Sequence, residues 1–562
     1  MRTLSKHRKK IKIFAYAAFI ITILLVIRVT YVAVFEGKEL SEAAEDLHER
    51  ERSIKAKRGR IISSDGTVLA MNETVCTVSV VHAQIKEPDK IIKILTEELQ
   101  MDEAKVRRYV EKVSSMERIK TNVDKETGDR IRAYNLAGVK VDEDSKRVYP
   151  YSELASKVLG FTGADNQGIL GLEVEYEKIL AGQNGQILSV TDASGVELED
   201  KEEIRVEPIA GKDLYISMDY NIQAYATQQA RKAYYDNQAK SVSIIVLNPN
   251  NGEIMAMVNY PEYDLNDPFT DGTIEEMNRI WRNGIINDTY EPGSTFKIVT
   301  ATAALASHSV SLNDSFCCTG RIHIGDRYIR CAKIQGHGSQ SFAQTLQNSC
   351  NPAFITWGIR TGKDNMLKYM SSLGLFEKTG VDLPGEAGSI FHKADNIKEL
   401  DLAVMSFGQS FQITPMQLLR AVSAVVNGGN LVTPHFGVKS IDEKGNIYPI
   451  EYTEKKDIID KETSEKMKIL LKAVVEQGGG ANCRIEGYSI AGKTATSEKL
   501  PRGNGKYIAS FIGIAPAENP QVIAMCIIDE PSGMYYGGVI AAPVVRTIFE
   551  NILPYLGIEK GN

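Results

Sequence analysis

The sequence predicts an α+β protein: an N-terminal transmembrane helix, an α+β pedestal, and a larger domain with a central antiparallel sheet packed by helices. Three observations carry this. The chain has 562 residues, 43% hydrophobic and 25% charged, which is globular in composition and too long for one ordinary core. An apolar run, Ile13 to Phe35, follows a basic cluster. After Lys212 strand-like segments frame a long helical stretch, the pattern of a sheet covered by helices.

The basic cluster is Arg2, Lys6, Arg8, Lys9, Lys10 and Lys12, with no acid among them. The following 23 residues hold one charge, Arg28, and as a helix would span roughly 34 Å, enough for the hydrocarbon layer. Arg28 lies near the far end and can extend to the interface. The basic flank is expected to stay cytoplasmic, with everything after residue 35 outside the cell membrane. A cleaved signal peptide is the alternative, but the run is long for one and no clear small-x-small site follows it. The net charge of -6 argues against nucleic acid as a partner. The expected divisions are a basic tail (1–12), the anchor (13–35), a non-catalytic domain (36–212), the larger domain (213–555) and a tail (556–562).

Within 36–212, Gly37 to about Arg52 reads as a polar, helix-prone stalk. Glu87 to Lys125 has the charged, helical spacing of small solvated helices. Tyr149 to about Ile209 reads as short strands with glycine turns at Gly168, Gly171, Gly182 and Gly185. In the larger domain, strands are expected at Ser241–Leu247, Glu253–Val258, Ser489–Ala495, Ala509–Ile514 and Val522–Ile528, with helices from Ser294 to about Val426.

The chemistry centres on the sole Ser-x-x-Lys, Ser294-Thr295-Phe296-Lys297. Pro292 and Gly293 precede it and a continuous apolar run follows, so Ser294 falls at a helix N-terminus, where developing negative charge is favoured. Three residues on, Lys297 shares its face and can act as base if burial and a second cation depress its pKa. Two Lys-Thr-small segments offer that cation. Lys378-Thr379-Gly380 runs into Asp382-Leu383-Pro384-Gly385, a turn; Lys493-Thr494-Ala495-Thr496 follows a strand-like run, and a strand edge can hold a substrate backbone. Lys493 is therefore preferred. Of two Ser-x-Asn segments, Ser311-Leu312-Asn313 reads as an ordinary loop. Ser349-Cys350-Asn351 closes an amphipathic helix before Pro352 and is preferred.

Ser294, Ser349 and Lys493 in this order resemble the three active-site motifs of penicillin-recognising serine enzymes. Arg58-Gly59-Arg60-Ile61, Gly171-Leu172-Glu173, Glu291 to Lys297, Asn348 to Phe354, Ser406-Phe407-Gly408-Gln409 and Lys506 to Ala517 narrow the likeness to class B penicillin-binding proteins. Cys331 and Gly336 to Gln340 make it most similar to division- and sporulation-specific members of Gram-positive bacteria. The resemblance implies an elongated pedestal of the dimerisation type over 36–212 and a peptidoglycan D,D-transpeptidase domain over 213–555, without the extra C-terminal repeats of some members. It implies Ser294 as nucleophile, Lys297 as base, Ser349 as proton relay, and Asn351 with Lys493 in support. It further implies an oxyanion hole from the Ser294 and Thr496 N–H groups, and Thr494, Ala495 and Thr496 along the substrate. The implied partners are stem peptides, β-lactams, the membrane and a glycosyltransferase of the septal or spore wall machinery.

Two departures stand out: Ala495 where the family has glycine, expected to crowd the ligand, and Ser410 where glycine is usual. A β-lactamase would need a deacylating Glu-x-x-Leu-Asn segment, which is not found at a suitable place. A catalytically dead scaffold is the other alternative, opposed by the intact motif residues. The eight histidines show no ligand spacing, so no metal or cofactor is expected. Of seven cysteines, Cys350 lies between Ser349 and Asn351 and Cys331 precedes it in a glycine-rich loop. The two form a candidate redox pair whose bond would disable the site, with a thiol-disulfide oxidoreductase as activating partner.

Overall fold

The computed structural model describes residues 2–32, 49–190, 204–269 and 272–561. Most of the expected stalk, residues 37–48, lies outside them. The chain divides into two units: residues 1–57, 74–146 and 183–209, and residues 58–73, 147–182 and 210–562.

The first unit opens with the helix Arg2–Tyr31, whose stretch Lys12–Tyr31 is 20 residues long and apolar enough to cross a membrane. At 1.5 Å per residue that stretch spans about 30 Å, the thickness of the hydrocarbon layer. Three antiparallel strands follow, with Gly185–Val190 between Glu49–Ile54 and Ile204–Val206. The end of the expected helix-prone stalk is thus strand. In the helix Pro88–Leu99, proline occupies the first turn and Ile91, Ile92, Leu95 and Leu99 fall on one buried stripe. That stripe packs with Val106 and Val110 of the helix Glu103–Val110, started by Asp102 accepting from the Lys105 N–H. The expected helical stretch ends earlier than Lys125, because Glu117–Asp124 pairs antiparallel with the later part of Val68–Val80.

In the second unit the segment expected as strands and glycine turns contains short helices instead, at Ser156–Leu159, Gly171–Glu175 and Glu177–Leu180. Its glycines serve close backbone approach. A Cβ on Gly160 would lie 1.9 Å from the Leu170 carbonyl oxygen, and one on Gly171 would lie 2.3 Å from that of Val158.

The remainder of the second unit starts with helix α1 (Tyr220–Asp236), begun by Asp219 accepting from two backbone N–H groups. Strands β1 (Ser241–Leu247) and β2 (Ile254–Tyr260) form a hairpin, as the sequence indicates. Then come helices α2 (Lys297–Ala306), α3 (Phe342–Gln347), α4 (Asn351–Thr361), α5 (Pro415–Val426) and α6 (Lys461–Gln477). Strands β3 (Ala491–Glu498), β4 (Tyr507–Ala515) and β5 (Val522–Asp529) complete the sheet before helix α7 (Ala542–Tyr555). All pairings are antiparallel in the order β2-β1-β5-β4-β3, which leaves β3 at an edge.

The sheet is buried on both faces, which explains its near-continuous apolar strands. Val242, Ile244 and Val246 of β1 join a core with α1 and α7. Ile245 and Leu247 join the opposite core with α2, α5 and α6. Helix α2 is buried from Lys297 to Leu305, so its apolar character on every side is that of a central core helix.

Candidate active site

The turn Gly293–Phe296 is a single stretch of 3₁₀ helix leading into α2, and it carries Ser294, half-buried, at its second position. Gly293 has φ 56°, and a Cβ there would lie 2.1 Å from Ser497 Oγ. Only glycine lets the serine turn sit this close to β3. Along β3 the pleat alternates: Lys493, Ala495 and Ser497 are buried, whereas Thr494 and Thr496 are partly exposed. Between α3 and α4, Ser349 adopts φ 50°, a left-handed conformation that costs a non-glycine residue on the order of 1 kcal/mol or more. Cys350 then starts α4, with Pro352 in its first turn.

These three segments bring their polar groups together. Lys297 Nζ donates to Ser349 Oγ at 3.2 Å, to the Ser349 carbonyl at 2.6 Å and to Asn351 Oδ1 at 2.7 Å. Lys493 Nζ donates to Ser349 Oγ at 3.0 Å and to the Thr494 carbonyl at 3.1 Å. Both lysines are fully buried. Burial pushes Lys297 down to about 7, although the thiols of Cys350 and Cys331 pull the other way. Burial, aided by the charge of Lys297, pushes Lys493 well below its ordinary value. The three acceptors around Lys297 suit an ammonium; losing one proton gives up one contact and frees a lone pair.

The sequence duplicates lie elsewhere. Lys378 and Thr379 are not in a strand, and the Thr379 N–H and hydroxyl both donate to Glu386 Oε1, at 2.6 and 2.5 Å. Ser311 is in a loop after α2, its N–H bound to Asp314. Thr496 Oγ1 accepts from the Gly537 N–H at 3.1 Å, leaving its own proton available.

A lysine–serine–lysine array with both lysines buried, following a serine at a helix start and next to an edge strand, suits acyl transfer. Residues 242–550 match the model of the penicillin binding protein transpeptidase domain, and residues 53–216 that of the penicillin-binding protein dimerisation domain. The chain belongs to the penicillin-binding protein transpeptidase family. It is 36% identical to stage V sporulation protein D of Bacillus subtilis (98% of this chain, 86% of that protein). It is 30% identical to the peptidoglycan D,D-transpeptidase FtsI of Escherichia coli (78% of this chain, 72% of that protein). Penicillin-binding protein 2X of Streptococcus thermophilus shares the fold with a TM-score of 0.76 at 21% identity, over 91% of this chain and 83% of that one. The likeness of the sequence to class B penicillin-binding proteins, with a sporulation protein among the relatives, therefore stands.

Two other motifs of this penicillin-binding protein acquire structural meaning. Glu173 is wholly buried and receives Arg58 Nε at 2.6 Å, Arg147 Nε at 2.7 Å and the Tyr149 hydroxyl at 3.2 Å. Glu291 accepts from the Ser410 N–H at 2.9 Å and pairs with Arg502 of the β3–β4 hairpin. Ser410 itself has φ 69°, so it stands where glycine would be relaxed. Sequence reading supplied Arg58, Glu173 and Glu291 as text to match but gave none of them a partner, because each partner is distant in the chain.

All seven cysteines are free thiols. Cys331 and Cys350 adjoin one another as a hydrogen-bonded pair, which lowers the Cys331 pKa and raises that of Cys350. Cys318 and His337 converge on the same point, the ligand atoms of all four lying within 4.8 Å of one another. Nothing in their spacing marks Cys318 or His337 for this role.

Proposed function

We propose that this penicillin-binding protein is a peptidoglycan D,D-transpeptidase anchored by its N-terminal helix, acting in septal or spore wall synthesis and inhibited by β-lactams. The observation that carries the proposal is the Ser349 hydroxyl shared by Lys297 and Lys493. Ser294 Oγ attacks the penultimate carbonyl carbon of a D-Ala-D-Ala stem peptide as neutral Lys297 takes its proton. The Ser294 and Thr496 N–H groups hold the oxyanion, and Thr494 and Thr496 hydroxyls the terminal carboxylate. Ser349 passes a proton to the departing nitrogen and is resupplied from the lysines, Asn351 holding Lys297 in place. The C–N bond breaks, D-alanine leaves, and an acyl-Ser294 ester remains. An amine from a neighbouring strand attacks the ester and loses its proton to Lys297, which returns it to Ser294 Oγ as the C–O bond breaks.

Intact-protein mass spectrometry tests this: penicillin adds one acyl group to the wild type and none to Ser294→Ala. Persistence of the adduct in the variant would refute the assignment. Rapid turnover of a chromogenic lactam would indicate a hydrolase.

The basic residues ahead of the helix favour a cytoplasmic N-terminus and an extracytoplasmic catalytic domain. Cross-linking joins strands polymerised elsewhere, so a glycosyltransferase is the partner this chemistry needs. The adjacency of Cys331 and Cys350 supports a redox pair: oxidation would form a bond across the Ser349–Asn351 turn, and a thiol-disulfide oxidoreductase would restore it. Unchanged penicillin labelling after mild reduction, in wild type and Cys350→Ser, with both thiols mapped as free, would exclude the switch.

A further inference from the structure

We propose that Cys318, Cys331, His337 and Cys350 form a structural zinc site that clamps the turn carrying Ser349 and Asn351. Four ligand atoms from three segments, with Cys331 and His337 at the two ends of one loop, lie within 4.8 Å of one another. A tetrahedral zinc with metal–sulfur bonds of about 2.3 Å sets its sulfurs about 3.8 Å apart. With a metal–nitrogen bond of about 2.0–2.1 Å the sulfur–nitrogen edge is about 3.6 Å, and the Cys331 Sγ to His337 Nδ1 separation, 3.5 Å, already matches it. The remaining ligands need draw in by no more than about 1 Å.

The surrounding backbone is built to present these groups. Cys318 ends the strand Ser315–Cys318, paired with Gly338 of Gly338–Ser341, and His337 directly precedes that second strand. Cys331 follows the strand Arg327–Arg330 and is fixed by its N–H donating to the Gly320 carbonyl at 2.8 Å. Gly320 and Gly336 have φ 91° and 80°. A Cβ on Gly320 would lie 1.9 Å from the Ile334 carbonyl oxygen, and one on Gly336 would lie 2.2 Å from that of Cys318. Both turns are therefore closed against their neighbours, holding three ligands in place before any metal enters.

Donors also face the sulfurs. The Lys333 N–H points at Cys331, the Ala353 N–H at Cys350, and the Gln340 amide toward Cys350. Gln340 Nε2 is buried and meets no conventional hydrogen-bond acceptor, a deficit that a Cys350 thiolate would fill. N–H groups aimed at sulfur are the outer contacts that orient thiolate ligands. Three sulfurs and one imidazole, all but the histidine buried, suit zinc better than magnesium or calcium, which take oxygen ligands. Zinc entry displaces the three thiol protons to solvent, and closed four-fold coordination leaves no open position for chemistry.

The consequence for the fold is local. Cys350 stands between Ser349 and Asn351, so a metal bond to its sulfur would anchor the strained φ of Ser349. Exchange with an external disulfide, which is reduced to two thiols as the Cys331–Cys350 bond forms, would remove two ligands and release the metal.

The site is tested on the full-length chain, purified reduced in detergent and passed through a chelating resin after addition of zinc chloride. About one zinc per chain should be retained. Cobalt chloride in its place should give thiolate-to-cobalt charge transfer and the intense ligand-field bands of a tetrahedral site. Cys318→Ala, which leaves Cys331 and Cys350 able to oxidise, should lose both signals. No retained metal in fully reduced protein, an octahedral spectrum without charge transfer, or full metal retention in both Cys318→Ala and His337→Ala would overturn the proposal. If Cys318→Ala does not fold, the wild type decides: a mercurial should release zinc in step with thiol modification, and modification without release would overturn the site. Neither result depends on transpeptidase activity.

Discussion

Lys297 and Lys493 converge on one hydroxyl, their nitrogens 3.2 and 3.0 Å from Ser349 Oγ. Two fully buried cations this close cannot both remain charged cheaply, and burial drives both lysines below their ordinary range. The pair thereby supplies near neutrality what serine acylation needs, an amine able to accept a proton.

The pH profile of acylation follows from this. In the proposed mechanism neutral Lys297 is the reactive form, and its fraction rises with pH through about 7. The second-order rate of penicillin acylation should therefore climb about tenfold per pH unit below that value and level above it. Stopped-flow measurement across the range checks the sign. A rate constant that does not fall on acidification would remove Lys297 from the role of base.

Ser349→Ala removes the only hydroxyl common to both lysines in this array. Proton delivery to the leaving nitrogen should suffer, slowing acylation by about 10²-fold or more. Circular dichroism should be unchanged, because the serine is already strained at φ 50° and alanine loses no backbone bond. A rate within about threefold of wild type would exclude the relay.

The Arg58–Glu173–Arg147 cluster makes a different prediction, about stability. Glu173→Ala would leave two buried guanidinium groups facing each other without their shared anion, at a cost of about 3–5 kcal/mol. Denaturant unfolding should show the midpoint falling strongly, with Glu173→Gln intermediate. A loss below about 1 kcal/mol would mean that water or rearrangement replaces the carboxylate.

What could be read in advance depended on how local each signal was. Ser294 and Lys297 lie within one turn, and Lys493 directly follows a short strand-like run, so their placement was legible. The choice of Lys493 over Lys378 turned on strand against turn, a distinction that local composition carries. The helices between Ser156 and Leu180 were misread as strands because their glycines resemble hairpin turns; their purpose, backbone contact across the chain, appears only in three dimensions. Cys318 and His337 were missed for the same reason. No spacing rule joins them to Cys331 and Cys350, and only the pairing of Ser315–Cys318 with Gly338–Ser341 does so.

Ala495 shows how a sequence expectation changes once a side chain has a direction. A methyl in place of the usual glycine suggested crowding of the ligand, and hence faster acylation in Ala495→Gly. In the sheet, Ala495 is 3% exposed and lies on the same face as Lys493 and Ser497, away from the partly exposed Thr494 and Thr496. Its Cβ is 3.7 Å from where a Cβ on Gly293 would be, so the methyl fills space beneath the serine turn. Removing it should cost about 0.8 kcal/mol of burial and up to about 1 kcal/mol of added backbone freedom. The expected outcome is a lower unfolding midpoint with no gain in the acylation rate constant. Both are measurable on one preparation, by denaturant titration and by stopped-flow acylation. Acylation several-fold faster at unchanged stability would instead place the methyl against the ligand.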